Sequence, residues 1–353
     1  MRKVVIIGAG RAGRGYLGRL AAQSGASITF LDQDAALVEA LRGGSYTVRF
    51  FGDSAPAQTI GGYQIYHISD PSARQALREA EVILTAVGQS TLPSLTPLLS
   101  SALDGCPPER RPVLLCCENG VHSSAALQPA ASSCFLSEGV IFCTTVTEGL
   151  DIRSQDLSWL PYDGTRLPMP LPLYGFSPEA DFETLLQRKI YTYNCLSACI
   201  SYLGYQRGYR EYAAAANDPH ISSAIAALLT QLNPAICAEY GVAADAQAQF
   251  AQQAVDKFQN REIADSVERN ARNALRKIGP TERIVAPMRL IQKHGGDPAV
   301  LRTVLAAALL YGAQEEPSAA DWQHPEQILN DICRLEEADG TNEILRQYRR
   351  MRK

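Results

Sequence analysis

The most constraining feature of this chain is Gly8-Ala-Gly10-Arg-Ala-Gly13, which follows a short apolar run at once and opens a helical pattern. Where a strand feeds a helix, glycines at these intervals do three jobs. The first permits a tight turn, the second lets a pyrophosphate approach the backbone, and the third lets the helix pack closely on the strand. The helix N-terminus adds unpaired N–H groups and a partial positive charge for the phosphates. Gly8, Gly10, Arg11, Ala12 and Gly13 are therefore expected to hold a dinucleotide. Asp32 ends the next apolar run, nineteen positions beyond Gly13. A carboxylate there binds adenosine ribose hydroxyls and repels a 2′-phosphate, so the reading is NAD and not NADP. Asp32 as a plain strand-end acid and Asp34 as a helix cap are the alternatives.

Short β-branched runs at 4–7, 27–31, 81–87, 113–117 and 140–145 alternate with amphipathic helical stretches. That order implies an α/β unit: an N-terminal Rossmann-type doubly wound parallel sheet with helices on both faces. Runs at 45–51 and 63–66 alternate like a small hairpin inserted in it. Ligands of such sheets bind at the carboxyl ends of the strands. Val87 and Gly88 are thus expected to bring backbone to the cofactor, and Asn119 to bond the nicotinamide ribose or to serve as a turn residue before Gly120.

From 151 to 178 the pattern stops, and Pro161, Pro168, Pro170, Pro172 and Pro178 interrupt every candidate helix. This is the expected crossing between domains. Beyond it, apolar residues recur at helical spacing through 182–203, 220–239, 245–258, 265–278, 281–293 and 299–311. The sequence therefore predicts an NAD-binding domain over 1–180 and a mainly α-helical substrate-binding and catalytic domain over 181–353.

With 353 residues, 46% hydrophobic, 20% charged and a net charge of -4, the chain lacks the basic excess of a nucleic-acid binder. The first apolar run begins too early for a signal peptide, and no uncharged apolar run is expected to span a bilayer, so the expected location is cytoplasmic. Nine cysteines, an odd count with Cys116 and Cys117 adjacent on one strand, read as free thiols. No zinc-type Cys/His spacing occurs, and no metal is expected.

Several segments resemble the polyol-specific long-chain dehydrogenases, the mannitol dehydrogenase family. They are the Gly8-Ala-Gly-Arg-Ala-Gly-Arg-Gly15-Tyr-Leu-Gly18 loop, Ser45-Tyr-Thr-Val, Thr85-Ala-Val-Gly88, Glu118-Asn119, Arg188-Lys189-Ile-Tyr-Thr-Tyr-Asn194, Lys257-Phe-Gln-Asn260, Asp265-Ser-Val-Glu-Arg269, and Leu275-Arg-Lys277 through Arg283 and Pro287. The resemblance implies a Rossmann domain followed by a helical substrate domain. It also implies metal-independent hydride transfer between NAD and a sugar alcohol or its phosphate ester, and a monomer or weak homo-oligomer. Its most specific signature is a lysine, an asparagine five residues on and a histidine three further. Here these read Lys189, Asn194 and Ser197, so the histidine is replaced. Thr147-Glu148 likewise stands where relatives carry an acid and an arginine.

The resemblance makes Lys189 the general base, which demands that burial or a cationic neighbour keep the amine neutral. Asn194 would donate to the developing alkoxide, and Ser197 would bond a substrate hydroxyl. On a regular helix positions 189, 194 and 197 fall within about 140°. Asn260, Arg269, Arg272 and Lys277 are the expected substrate anchors. Arg269, Arg272 and Arg276 should share a helix face that can hold a phosphate. Two readings compete on the same scaffold: a hexonate dehydrogenase, and an NAD-binding sensor with weakened catalysis.

Overall fold

The computed structural model describes residues 2–118, 120 and 122–352, and the chain divides into two compact units, Met1–Glu183 and Thr184–Lys353. In chain order the first unit contains β1 (Lys3–Ile7), β2 (Ser27–Asp32), β3 (Ser45–Phe50), β4 (Gln58–Gly61), β5 (Gln64–His67), β6 (Val82–Thr85), β7 (Val113–Cys116), β8 (Phe135–Glu138), β9 (Thr145–Glu148), β10 (Asp151–Ser154), β11 (Leu160–Asp163) and β12 (Phe176–Glu179). Six of these form one parallel sheet in the order β5-β2-β1-β6-β7-β8. The order reverses between β1 and β6, the point at which sheets of this kind bind ligands, at the carboxyl ends of the strands.

Successive side chains on a strand point to opposite faces, and the cores follow that rule. Val4, Ile6, Phe30 and Leu84 pack with Tyr16, Leu17 and Leu20 of the glycine-rich helix. Val5, Ile7, Leu31 and Ile83 pack on the other face with Leu77, Leu95 and Leu99. Each such side chain contributes about 1.5–3 kcal/mol when fully buried, so both faces must be covered. Two helices, Pro71–Glu79 and Leu92–Leu103, cover the second. Adjacent Cys116 and Cys117 fall in these two opposite cores, and all nine cysteines are free thiols.

Three expectations for the first unit need correction. Residues 63–66 are not the partner of 45–51: β5 joins the edge of the main sheet beside β2, while β3 pairs antiparallel with β4 in a second sheet ordered β4-β3-β10-β9. Alternation reads the same in both settings, so the pattern alone does not choose the partner. The sixth main strand is Phe135–Glu138 and not 140–145, whose end instead begins β9. The proline-rich stretch 151–178 does not cross between domains. It belongs to the first unit, where β10 extends the second sheet and β11 pairs with β12, with Pro161 and Pro178 on these two short strands.

The second unit is helical. At its centre lies Ala299–Glu315, in which every residue from Val304 to Gly312 is buried. Around it pack Cys195–Gln206, Pro219–Tyr240, Val285–Lys293 and Thr341–Met351. Helix Pro219–Tyr240 is long and apolar enough by length and composition to cross a membrane, contrary to the sequence expectation. Ile221, Ile225, Leu228, Leu232 and Ile236 recur on one face and are buried within the unit, the pattern of a core helix with a second face exposed. The expected helix 182–203 is three pieces: α-helix Phe182–Lys189, a π-helical turn Ile190–Asn194, and α-helix Cys195–Gln206. The expected helix 265–278 is also broken, into Val267–Ala271 and Ala274–Lys277, because Asn273 takes a left-handed conformation with φ 61°.

Candidate active site

The first unit gathers its polar residues around the glycine loop. Gly8 has φ +100°, and a Cβ there would lie 2.5 Å from the Ala86 carbonyl oxygen. A Cβ on Gly13 would overlap the Gly8 carbonyl at 1.8 Å, whereas one on Gly10 meets nothing within 4 Å. The first and third glycines thus close the strand–helix junction, and the second borders open space, as a dinucleotide cradle requires. Arg11 and Ala12 form the start of the helix that follows.

Side chains then hold the loop in place. The Ala9 N–H donates to Asp32 Oδ2 at 2.6 Å, and the Ala9 carbonyl accepts from Arg14 Nε at 2.7 Å. Arg14 is fully buried, donates also to the Leu150 carbonyl, and lies over the Tyr46 ring at 5.5 Å. Asp32 stands at the end of β2, and its other oxygen accepts from the Asp34 N–H at 3.0 Å. Asp34 is a cap as well: it accepts from Ala36 and Leu37 at the start of the next helix.

Val87 and Gly88 follow β6 at the same edge. Their N–H groups do not point at open space. They donate to the buried Glu118 carboxylate at 3.0 and 2.8 Å, and the Thr85 hydroxyl joins them at 2.9 Å. Glu118 is therefore a residue that sequence reasoning noted without giving it a role. Its signal was a carboxylate at a strand's carboxyl end, which burial obliges to find donors. Asn119, the expected ribose ligand, lies outside the described residues. Thr147 and Glu148 lie on β9, where Glu148 pairs with Arg153 at 3.0 Å on an exposed surface.

The second unit holds the lysine, and the π turn places it. In that turn the Cys195 N–H reaches the Ile190 carbonyl, an i→i+5 bond. This wider winding brings Asn194 closer to line with Lys189 than the offset of about 140° that a regular helix gives over five residues. Lys189 is 5% exposed and Asn194 8%. Burial above all, then the charges of Arg283 and Lys257, pull the Lys189 pKa down to about 7 against the opposing pull of Glu282. Lys277 is held at about 7 in the same way, by burial, Arg283 and Arg276, and it donates to the Asn270 carbonyl. Arg283, itself buried and paired with Glu282 at 3.2 Å, is the cation common to both lysines. It was legible only as part of the matched run from Leu275 through Arg283 to Pro287.

The remaining expected anchors separate. Arg269 forms a two-pronged ion pair with Asp265. That pair lies in the electrostatic surroundings of buried Tyr212, whose hydroxyl faces Ser197. Arg272 is exposed and pairs with Glu268 at 2.9 Å, Arg276 pairs with Glu282 at 2.7 Å, and Asn260 turns the exposed chain end of helix Ala244–Gln259. The break at Asn273 removes the common face, so the expected patch of Arg269, Arg272 and Arg276 does not form. Among the described residues no group of three or more His, Cys, Asp or Glu side chains gathers to hold a metal ion.

Comparison with known proteins adds independent findings. Residues 2–146 match the mannitol dehydrogenase Rossmann domain and residues 181–347 the mannitol dehydrogenase C-terminal domain. The chain is similar to mannitol-1-phosphate 5-dehydrogenases, 28% identical to that of an Exiguobacterium species (strain AT1b) over 90% of this chain and 88% of the relative. The protein of that name from Paenarthrobacter aurescens is 26% identical over 90% and 89%. In fold it resembles the Pseudomonas fluorescens mannitol 2-dehydrogenase in ternary complex with NAD and D-mannitol, with a TM-score of 0.74 at 14% identity, covering 99% of this chain and 91% of that one. A substrate-free D-sorbitol dehydrogenase follows, with a TM-score of 0.72 at 12% identity over 98% and 91%.

Proposed function

This chain belongs to the mannitol dehydrogenase family, and from that premise we propose that it is an NAD-dependent oxidoreductase interconverting a sugar-alcohol phosphate and the corresponding keto-sugar phosphate, with Lys189 as general base and without a metal. In this reading the first unit, about residues 1–180, binds NAD, and the helical remainder binds substrate. NAD accepts the hydride when bound. The chain's own residues do the rest.

The observation that carries the reading is a lysine 5% exposed and held near pKa 7, one π turn before an asparagine. At neutral pH such an amine is substantially unprotonated and can take the proton of a secondary hydroxyl. The Asn194 amide then donates to the oxygen on which negative charge grows, adding no charge of its own. Ser197, beside Tyr212, bonds a neighbouring hydroxyl. Gly8, Gly10, Arg11, Ala12 and Gly13 hold the pyrophosphate, with Asp32, Val87, Gly88 and Asn119 around the rest of the cofactor. Asp32 favours NAD because its carboxylate occupies the position a 2′-phosphate would need. That the similar mannitol 2-dehydrogenase was solved with NAD supports this choice.

Lys277 supports an anionic substrate. It is a buried amine held near pKa 7 beside Arg283, its own bond is to the Asn270 carbonyl, and a bound phosphate or carboxylate would favour its charged form. Arg269 anchors hydroxyls, and Arg272 and Asn260, being exposed, contribute at most to the rim. The same two cations suit a hexonate, which is the second reading. Rates of NADH oxidation with fructose 6-phosphate, fructose and tagaturonate decide between them: the proposal expects the first to be fastest. Lys189→Ala should then lower turnover at least about 100-fold with little change in NADH affinity. An active Lys189→Ala enzyme would remove the base from this mechanism.

A further inference from the structure

Gln247 is a fully buried amide in helix Ala244–Gln259. Its Nε2 donates to Thr192 Oγ1 at 3.1 Å and to Asn233 Oδ1 at 3.2 Å, and its Oε1 accepts from Arg188 Nε at 3.1 Å. Thr192 is the middle residue of the π turn, and Arg188 immediately precedes Lys189. The grip extends along the same helix: Arg188 also donates to the Ala246 carbonyl at 3.3 Å and lies 4.6 Å over the Phe250 ring, whose edge meets Tyr193 at 5.1 Å. One helix thus holds residues 188, 192 and 193 on both sides of the lysine.

A π turn exposes a vulnerability. It carries one residue more than the α-helix into which it can relax, and it persists only where its surroundings favour it. Thr192 is a β-branched residue of indifferent helix propensity, fully buried. Left without an acceptor for its hydroxyl or a donor to it, the site would pay the cost of an unmade buried hydrogen bond.

We propose that Gln247 is a positioning residue for catalysis: it fixes the π turn and so the alignment of Lys189 with Asn194. The inference rests on Lys189 and Asn194 being the catalytic pair. Gln247 touches neither substrate nor cofactor and acts through Thr192 and Arg188.

The test uses Gln247→Met, of similar length without the bonds, with Thr192→Val and Thr192→Ser as partners. Gln247→Met is expected to lower kcat for polyol oxidation at least about 10-fold, since small misplacements of reacting groups carry penalties of this order. The acid limb of its pH–rate profile should move from near pH 7, and NADH affinity should not change. Thr192→Val should follow in the same direction, and Thr192→Ser, which keeps the hydroxyl, should behave as the wild type. If Gln247→Met folds poorly, Thr192→Val carries the test alone. Unchanged kcat and pH profile in a folded variant overturns the proposal, and so does a loss of kcat with no movement of the profile, which marks a merely structural role. Failure of the underlying reading is distinguishable: Lys189→Ala would remain active while Gln247→Met still lost turnover.

Discussion

The two units treat buried charge in opposite ways. Around the glycine loop three charged side chains bond mainly to backbone: Asp32 to the Ala9 and Asp34 N–H groups, Arg14 to the Ala9 and Leu150 carbonyls, Glu118 to the Val87 and Gly88 N–H groups and the Thr85 hydroxyl. Around Lys189 and Lys277 cations stand beside cations, with Arg283 depressing both amines. The first arrangement shapes a loop that a ligand enters as a finished surface. The second keeps protonation equilibria close to neutrality, where a ligand or a proton can shift them.

The comparison can be broken most sharply at Asp32. If that carboxylate both shapes the loop and selects the cofactor, Asp32→Ser should weaken NADH binding about 10-fold or more, the order expected for charge-assisted hydrogen bonds. NADPH should weaken much less, so the ratio of the two dissociation constants, read by fluorescence titration, moves toward NADPH. Equal weakening of both would leave Asp32 as scaffold only.

A smaller effect is expected at Arg283. Its guanidinium lowers the Lys189 pKa, so Arg283→Gln should raise it, and the acid limb of the oxidation rate should shift upward from near pH 7. A limb that stays in place would mean that Arg283 has no part in setting the amine, leaving burial and Lys257.

The smallest effect concerns stability. Lys189 and Lys277 release their protons near pH 7 in the folded chain but near 10.5 when unfolded. Between those values these two amines bind more protons in the unfolded chain, so their contribution to stability rises with pH through that window. The buried thiols of Cys116, Cys134 and Cys333, whose pKa values burial raises, act in the opposite direction, so the lysine effect is read as a difference between variants. The urea midpoint of Lys277→Met, which removes one of the two amines, should gain less or lose more than that of the wild type between pH 7 and pH 10.

Much of this was legible because local chemistry fixes it. Gly8 and Gly13 announce a close strand–helix junction through their spacing, since few other junctions need glycines there. The doubly wound sheet followed from alternating patterns. What was hidden depended on partners far along the chain. Nothing in 63–66 distinguishes a hairpin strand from an edge of the main sheet, and nothing in 265–278 shows that Asn273 breaks the helix and scatters the arginines. Lys189 shows the same limit: its type and neighbours were readable through the family resemblance, but its depressed pKa comes first from burial and then from charges such as Arg283, ninety-four positions away. The π turn leaves no mark in apolar periodicity, because one extra residue within a buried helix changes no hydrophobic position decisively.

Arg14 has a consequence of another kind. One guanidinium holds the Ala9 carbonyl of the phosphate loop and the Leu150 carbonyl of the turn between β9 and β10. The small second sheet is therefore fastened to the cofactor cradle, and local opening of either should release the other, making them a single cooperative unit in hydrogen exchange.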